Sequence, residues 1–197
     1  MTKERRTIVL VLGGARSGKS TYAERLAHTA EDVTYIATAD SRDVEMAERI
    51  RIHRERRPAA WKTWEGESRL LPAEIGDMRG TLLLDCLTMF LTRLFLDTPE
   101  ADADDETAWL ERERQILQSV GTLLENFRAG AGAARLIVVS NEVGWGLVPP
   151  YRMGRRFRDM QGRANQLAAS MADEAFLVAA GLPLRLKGAP ETCATPG

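Results

Sequence analysis

Gly13, Gly14, Ala15, Arg16, Ser17, Gly18, Lys19 and Ser20 form the pattern G-x-x-x-x-G-K-[ST], set between the apolar run Ile8 to Leu12 and a helical pattern beginning at Lys19. That context suits a loop that cradles phosphate. Glycines allow positive φ and close backbone approach, while successive N–H groups and a helix N-terminus surround an anion. Lys19 is expected to reach the β- and γ-oxygens of a nucleoside triphosphate, and the Ser20 hydroxyl to hold Mg2+. A second apolar run, Leu82-Leu83-Leu84, closes in Asp85. Ligands of open α/β sheets bind at the C-terminal ends of the strands, so Asp85 is the expected carboxylate for orienting Mg2+, directly or through water. Cys86 beside it reads as a small packed side chain rather than a nucleophile.

A phosphate loop does not require a histidine, yet His53 lies within Arg49-Ile50-Arg51-Ile52-His53-Arg54-Glu55-Arg56-Arg57-Pro58. Helical spacing puts Arg49, His53 and Arg56 or Arg57 on one face, beside an apolar stripe of Met46, Ala47 and Ile50. Pro58 disfavours helical geometry at Arg57 and is expected to end the helix. The arginines around this imidazole raise its neutral, nucleophilic fraction and can neutralise an approaching triphosphate. The pattern suits attack by the imidazole on an α-phosphorus with pyrophosphate leaving. A basic exposed helix with an incidental histidine is the plainer alternative.

These groups need a scaffold that presents them at one edge. Apolar runs of strand character recur at Thr7 to Leu12, Val33 to Ala37, Thr81 to Leu84, Leu136 to Ser140 and Ala175 to Val178. Helical patterns fall between and after them, at Lys19 to Ala27, Val44 to Arg56, Leu87 to Leu96, Glu106 to Arg128 and Arg155 to Ala172. The alternation predicts an α/β fold, a mainly parallel sheet with helices on both faces. A short strand pair around Gly181 to Leu186 is expected to close one edge. Asn141 and Glu142, just past a strand end, fall on the ligand edge by the same rule. The acidic stretch Asp97 to Glu106 reads as a solvated connector. A second basic cluster, Arg152, Arg155, Arg156, Arg158 and Arg163 with only Asp159 opposing it, follows the Gly- and Pro-rich stretch Gly144 to Pro150. It could meet phosphates, close over a substrate or make ion pairs on a helix surface. Trp61, Trp64, Trp109 and Trp145 could stack on a base, although buried packing is the commoner fate.

At 197 residues the chain has the size of one domain. Residues 1–187 are expected to form it, and residues 188–197, rich in small residues and proline, to be a frayed tail. The 27 basic and 28 acidic residues give a net charge of −1, which excludes bulk electrostatic capture by nucleic acid or anionic membrane. Apolar runs stay far below the roughly 18 residues needed to span a bilayer, and the run after Lys3, Arg5 and Arg6 is too short for a signal-peptide core. A cytoplasmic location is expected. Cys86, Cys193, His28 and His53 give neither a disulfide framework nor a zinc spacing, so a bound metal is expected to take oxygen ligands.

Several longer blocks go further. They are GGARSGKS at Gly13 to Ser20, YIATA at Tyr35 to Ala39, DxEMAxRIxxHRxxRPxxW from Asp43 to Trp61, LLLDCLT from Leu82 to Thr88, and SNEVGWGLVP followed by GRRFRDMQGRANQ from Ser140 to Gln166. Through them nearly the whole chain resembles the bifunctional adenosylcobinamide kinase / adenosylcobinamide-phosphate guanylyltransferase family of cobalamin biosynthesis. The resemblance implies a P-loop NTPase (RecA-like) fold and two reactions. One phosphorylates the hydroxyl of the aminopropanol arm of adenosylcobinamide; the other transfers GMP from GTP to that phosphate through a guanylylated histidine.

The resemblance puts His53 at the family's histidine, with Lys19 as the second catalytic residue and Ser20 and Asp85 at the metal. Nucleotide contacts carried over are Gly13 to Ser20, Thr38, Ala39 and Asp40 after the second strand, Arg54, Glu55, Arg56 and Arg57, Glu65 and Asp85. A carboxylate at Glu65 can accept guanine N1–H and N2–H as a pair, which adenine does not offer. Asp40 stands where the family pattern has Ser, Gln or another residue, so the backbone is the expected contact there. Also implied are GTP, or ATP for the kinase step, with Mg2+, a corrinoid substrate and a homo-oligomer of the trimeric kind. Two rivals stay open: a P-loop kinase without guanylyl transfer, in which His53 only contacts phosphate, and a nucleotide switch whose hydrolysis drives a partner.

Overall fold

The structure is a computed structural model describing residues 6–38, 57–97 and 105–188. The expected helix Val44 to Arg56 and the tail beyond Gly188 lie outside the described residues. Strands β1 (Thr7–Gly13), β2 (Val33–Ala37), β3 (Lys62–Trp64), β4 (Gly80–Asp85), β5 (Ala133–Asn141), β6 (Glu174–Ala179) and β7 (Leu182–Lys187) make one sheet in the order β3-β2-β4-β5-β1-β6-β7. All pairings are parallel except β6 with β7. The described helices are α1 (Lys19–Ala27), α2 (Leu71–Glu74), α3 (Leu87–Asp97), α4 (Glu106–Ala129) and α5 (Arg152–Met171).

Strands covered on both sides must be apolar at consecutive positions, as β1, β4 and β5 are. Ile8, Leu10, Leu12, Leu82, Leu84, Leu136 and Val138 pack on one side against Phe90, Leu91, Leu123, Phe127 and Met160. Val9, Val11, Leu83, Ile137 and Val139 pack on the other against Ala23 and Ala27 of α1. The sheet is therefore sandwiched as expected of a mainly parallel α/β sheet, with the phosphate-loop strand β1 and the Asp85 strand β4 on either side of β5. Parallel register brings Gly13, Asp85 and Asn141 to the same edge.

Two elements were not expected. β3 is three residues on the outer edge, too short to show an alternation, and α2 is a single turn opened by Pro72. α5 begins at Arg152 rather than Arg155, because Gly154 reads locally as loop while its neighbours continue the helix. The strand pair at the far edge is a hairpin of β6 and β7, turning at Ala180 and Gly181, both with positive φ (51° and 80°), as tight hairpins require. Arg128 ties the last turn of α4 to the sheet: its Nη2 donates to Met171 O and to Asp173 Oδ2, both at 2.8 Å, while Asp173 Oδ2 also accepts from Ile8 N at 2.8 Å.

The second basic cluster is not opposed by Asp159 alone. Arg152 and Arg156 donate to Glu106 at the start of α4, Arg163 pairs with the buried Glu113, and Arg155 donates to the carbonyls of Pro149 and Pro150. Those two acids lie far away in sequence, which hid them; the cluster joins α4 to α5. Glu106 also gives the acidic connector a structural task. Trp109 is buried edge-on against Phe95, Trp64 Nε1 donates to Glu74 at 2.9 Å, and Trp145 is exposed.

Candidate active site at the phosphate loop

The loop from Gly14 to Gly18 joins β1 to α1 and is held from below. Gly181 N, at the tip of the β6–β7 hairpin, donates to Ser17 O at 2.8 Å. Gly18 has φ +93°, and a Cβ there would lie 3.0 Å from Gly181 Cα; a Cβ on Gly13 would lie 2.7 Å from Val178 O. Both glycines are thus demanded by close approach to the hairpin. α1 starts without a side-chain cap, so its first-turn N–H groups face the loop as an anion seat. Ala15 and Arg16 form the exposed crest, and Ser17 Oγ is buried with no hydrogen-bond partner.

Lys19 Nζ folds back onto Gly14 O at 3.2 Å. Burial pulls its ammonium below the usual lysine range, with Cys86 and Asp85 opposing the shift. Ser20 Oγ donates to Asp85 Oδ1 at 3.4 Å, so the strand-end carboxylate and the helix-start hydroxyl converge. An alcohol and a carboxylate at one strand edge are hard oxygen donors that fit Mg2+. Among the described residues no cluster of three or more His, Cys, Asp or Glu could hold a metal.

The remaining expected residues divide. Thr38 is fully buried, and its hydroxyl accepts from Cys86 N and donates to Cys86 O, both at 2.7 Å, pinning the chain after β2 to the chain after β4. Burial, reinforced by Asp85, pushes the Cys86 thiol up to about 12, which leaves it an inert packed group. Glu142 N donates to Gly13 O at 3.1 Å and its carboxylate accepts from Asn165 of α5 at 2.9 Å. Asn141 N donates to Thr88 Oγ1 at 3.0 Å. Both sit at the ligand edge, tied into the surrounding helices.

Ala39, Asp40, His53, Arg54, Glu55 and Arg56 lie outside the described residues. Arg57 is described: its guanidinium carbon sits 3.2 Å over the Tyr35 ring, and its Nε and Nη1 are buried with no hydrogen-bond partner. It lines a cleft of about 310 Å3 with Pro58, Ala59, Trp61, Thr63 and Glu65. Arg57 and Glu65 therefore share one cleft. The residues 13–20 and 85 are brought together at the neighbouring strand ends.

Residues 9–186 match the family described as cobinamide kinase / cobinamide phosphate guanyltransferase. The chain belongs to that family. Its cobinamide kinase / guanyltransferase relatives include a bifunctional adenosylcobalamin biosynthesis protein CobU of Escherichia coli (strain K12), 39% identical over 183 residues, covering 91% of this chain and 99% of the relative. A bifunctional adenosylcobalamin biosynthesis protein CobP of Pseudomonas aeruginosa is 43% identical over 187 residues, covering 92% and 98%. Among solved structures, the P4 protein from bacteriophage phi6 in complex with ADP aligns with TM-score 0.45 and 12% identity over 90% of this chain and 54% of that one. The RadB recombinase aligns with TM-score 0.42 and 14% identity over 87% and 73%.

Two parts of the site carry little signal in the sequence. Gly181 carries no motif of its own; its only signal is a turn dipeptide between apolar runs. In sequence Tyr35 is only part of the block YIATA, yet its hydroxyl donates to Asp85 Oδ2 at 2.9 Å. The signal that could have found it is strand period: Tyr35 and Ala37 share a face of β2, and Ala37 pairs with Asp85.

Proposed function

We propose that this chain phosphorylates the aminopropanol hydroxyl of adenosylcobinamide and then transfers GMP from GTP onto that phosphate, giving adenosylcobinamide-GDP. The observation that carries this reading is the family match over residues 9–186, on a chain whose Lys19, Ser20 and Asp85 meet at one sheet edge. For the kinase step, the amides of Gly13 to Ser20 and the Lys19 ammonium hold the β- and γ-phosphates. The substrate hydroxyl oxygen bonds to the γ-phosphorus as the bond to the bridging oxygen breaks, and its proton passes to phosphate or water; a loose transition state needs little base. Ser20 and Asp85 would hold Mg2+, whose chemistry is charge neutralisation of the phosphates.

For the second step, a ring nitrogen of His53 bonds to the α-phosphorus of GTP as pyrophosphate leaves. A phosphate oxygen of adenosylcobinamide phosphate then displaces that nitrogen and restores the imidazole. Arg54, Arg56 and Arg57 neutralise the leaving pyrophosphate, a task that the unpartnered buried nitrogens of Arg57 support. Glu65, in the cleft with Arg57, takes guanine by its paired donors, and Thr38, Ala39, Asp40 and Glu55 complete the nucleotide surroundings. ATP or GTP serves as phosphate donor in the first step.

Residues 1–187 act as one domain in this reading, in a homo-oligomer, with exposed Leu182, Leu184 and Leu186 of β7 offering apolar contact surface. We infer that the chain works in the cytoplasm; no helix of the described residues is long and apolar enough to cross a membrane. The test is GTP labelled separately at the α- and γ-positions, supplied with adenosylcobinamide. Acid-labile α-label on the protein, lost in His53→Ala, together with γ-label on the corrinoid, is the expected result. γ-Transfer without the adduct would leave a simple kinase.

A further inference from the structure

The Asp85 carboxylate is held from two sides. Ser20 Oγ reaches Oδ1 at 3.4 Å from the start of α1, and Tyr35 Oη reaches Oδ2 at 2.9 Å from the adjacent strand. The register explains the second contact. Tyr35 lies directly opposite Leu83, and Ala37 opposite Asp85, so a long side chain at Tyr35 runs diagonally up the sheet face past a small one at Ala37. Tyr35 is itself only 3% exposed. On its ring sits the guanidinium of Arg57, which follows the histidine segment in sequence and lines the cleft with Glu65.

We propose that Tyr35 is a positioning residue of the phosphate site: its hydroxyl fixes the rotamer of Asp85, and the Arg57 stack on its ring ties that carboxylate to the guanylyl-transfer cleft. This rests on the proposed function in taking Asp85 as the Mg2+ carboxylate and the Arg57–Glu65 cleft as the place of guanylyl transfer; the acceptor for the phosphate does not enter. A carboxylate free to rotate must be ordered each time the metal–nucleotide pair binds, whereas one clamped by a phenol and an alcohol is preorganised. The phenol is suited to this duty, because its hydroxyl already donates to Oδ2 and its ring is held in place by burial and by the Arg57 stack. One carboxylate seat would then serve transfer at both the γ- and the α-phosphorus.

The test uses the full chain and a fluorescent GTP analogue, titrated with Mg2+ and separately in EDTA. Tyr35→Phe keeps the ring and the Arg57 stack and removes only the hydroxyl. The Mg2+ midpoint for nucleotide binding is expected to rise by about tenfold or more, the loss of one hydrogen bond to a charged group, while affinity in EDTA is unchanged. Asp85→Asn should abolish most of the Mg2+ dependence, and adding Tyr35→Phe to it should change nothing further. An unchanged midpoint in Tyr35→Phe, or equal shifts in the Asp85 and Asp85→Asn backgrounds, overturns the proposal, since a merely structural tyrosine gives additive effects. A wild-type chain that binds nucleotide without any Mg2+ dependence overturns both this inference and the metal seat of the proposed function. Should Tyr35→Phe not fold, wild type carrying 3-fluorotyrosine decides. One of its three fluorine resonances should shift when Mg2+ is added to the nucleotide complex, and no shift refutes the role.

Discussion

Gly18→Ala tests how far the phosphate loop depends on the hairpin beneath it. The residue has φ +93°, and holding an L-residue in left-handed backbone costs about 1–2 kcal/mol. The added Cβ would stand 3.0 Å from Gly181 Cα, with backbone rather than a flexible side chain as its neighbour, so the hairpin tip must retreat. Retreat strains the Gly181 N to Ser17 O bond of 2.8 Å, worth about 1 kcal/mol. The sum is a loss of about 2–3 kcal/mol, or roughly 5–10 °C in Tm for a domain of this size. Because the same shift moves the first-turn amides of α1, nucleotide affinity should fall by at least about tenfold. Gly14→Ala is the control: nothing lies within 4 Å of its Cβ and its φ is not positive, so stability should stay within about 0.5 kcal/mol of wild type. Urea denaturation followed by circular dichroism, with nucleotide titration in parallel, gives both quantities. A Gly18→Ala chain as stable as Gly14→Ala would show that the hairpin does not support the loop.

Lys19→Ala should depress both phosphoryl and guanylyl transfer by about a hundredfold or more, whereas His53→Ala should abolish only guanylyl transfer; separate assays of γ- and α-label transfer check the division. Since burial lowers the Lys19 pKa in the free chain, triphosphate binding must take up a proton once the pH exceeds that lowered value. Affinity should therefore be full below it and fall by up to about tenfold per pH unit above it, a dependence that titrations between about pH 6 and 10 should find missing in Lys19→Ala. Arg128→Ala removes the bonds to Met171 O and Asp173 Oδ2 that join α4 to the sheet. As the guanidinium is about a third exposed, screening limits the loss to about 2 kcal/mol, read from denaturant midpoints.

The parallel sheet could be read from sequence because strands buried on both faces are apolar at consecutive positions, as Ile8 to Leu12 and Leu82 to Leu84 are. The loop at Gly13 to Ser20 was visible for a different reason: its chemistry needs particular residues at fixed spacing. Short elements escaped, since three residues at Lys62 to Trp64 and one turn at Leu71 to Glu74 carry no measurable period. Long-range partners escaped as well. The acids that neutralise Arg152, Arg156 and Arg163 sit on α4, about 50 positions earlier, and only folding brings them close. Tyr35 and Gly181 belong with these. Each acts through a neighbour in space, Asp85 and Ser17, and the strand period at Tyr35 and the turn dipeptide at Gly181 mark a position without naming that neighbour.

In the proposed guanylyl transfer one side chain, His53, carries GMP between GTP and the corrinoid phosphate. Intact-mass spectrometry of the folded chain after mixing with GTP and Mg2+ tests it most directly. The expected result is a gain of one guanylyl group, localised to His53, absent in His53→Ala and discharged when adenosylcobinamide phosphate is added. A folded, nucleotide-binding chain that never gains that mass, or gains it at another residue, would contradict it.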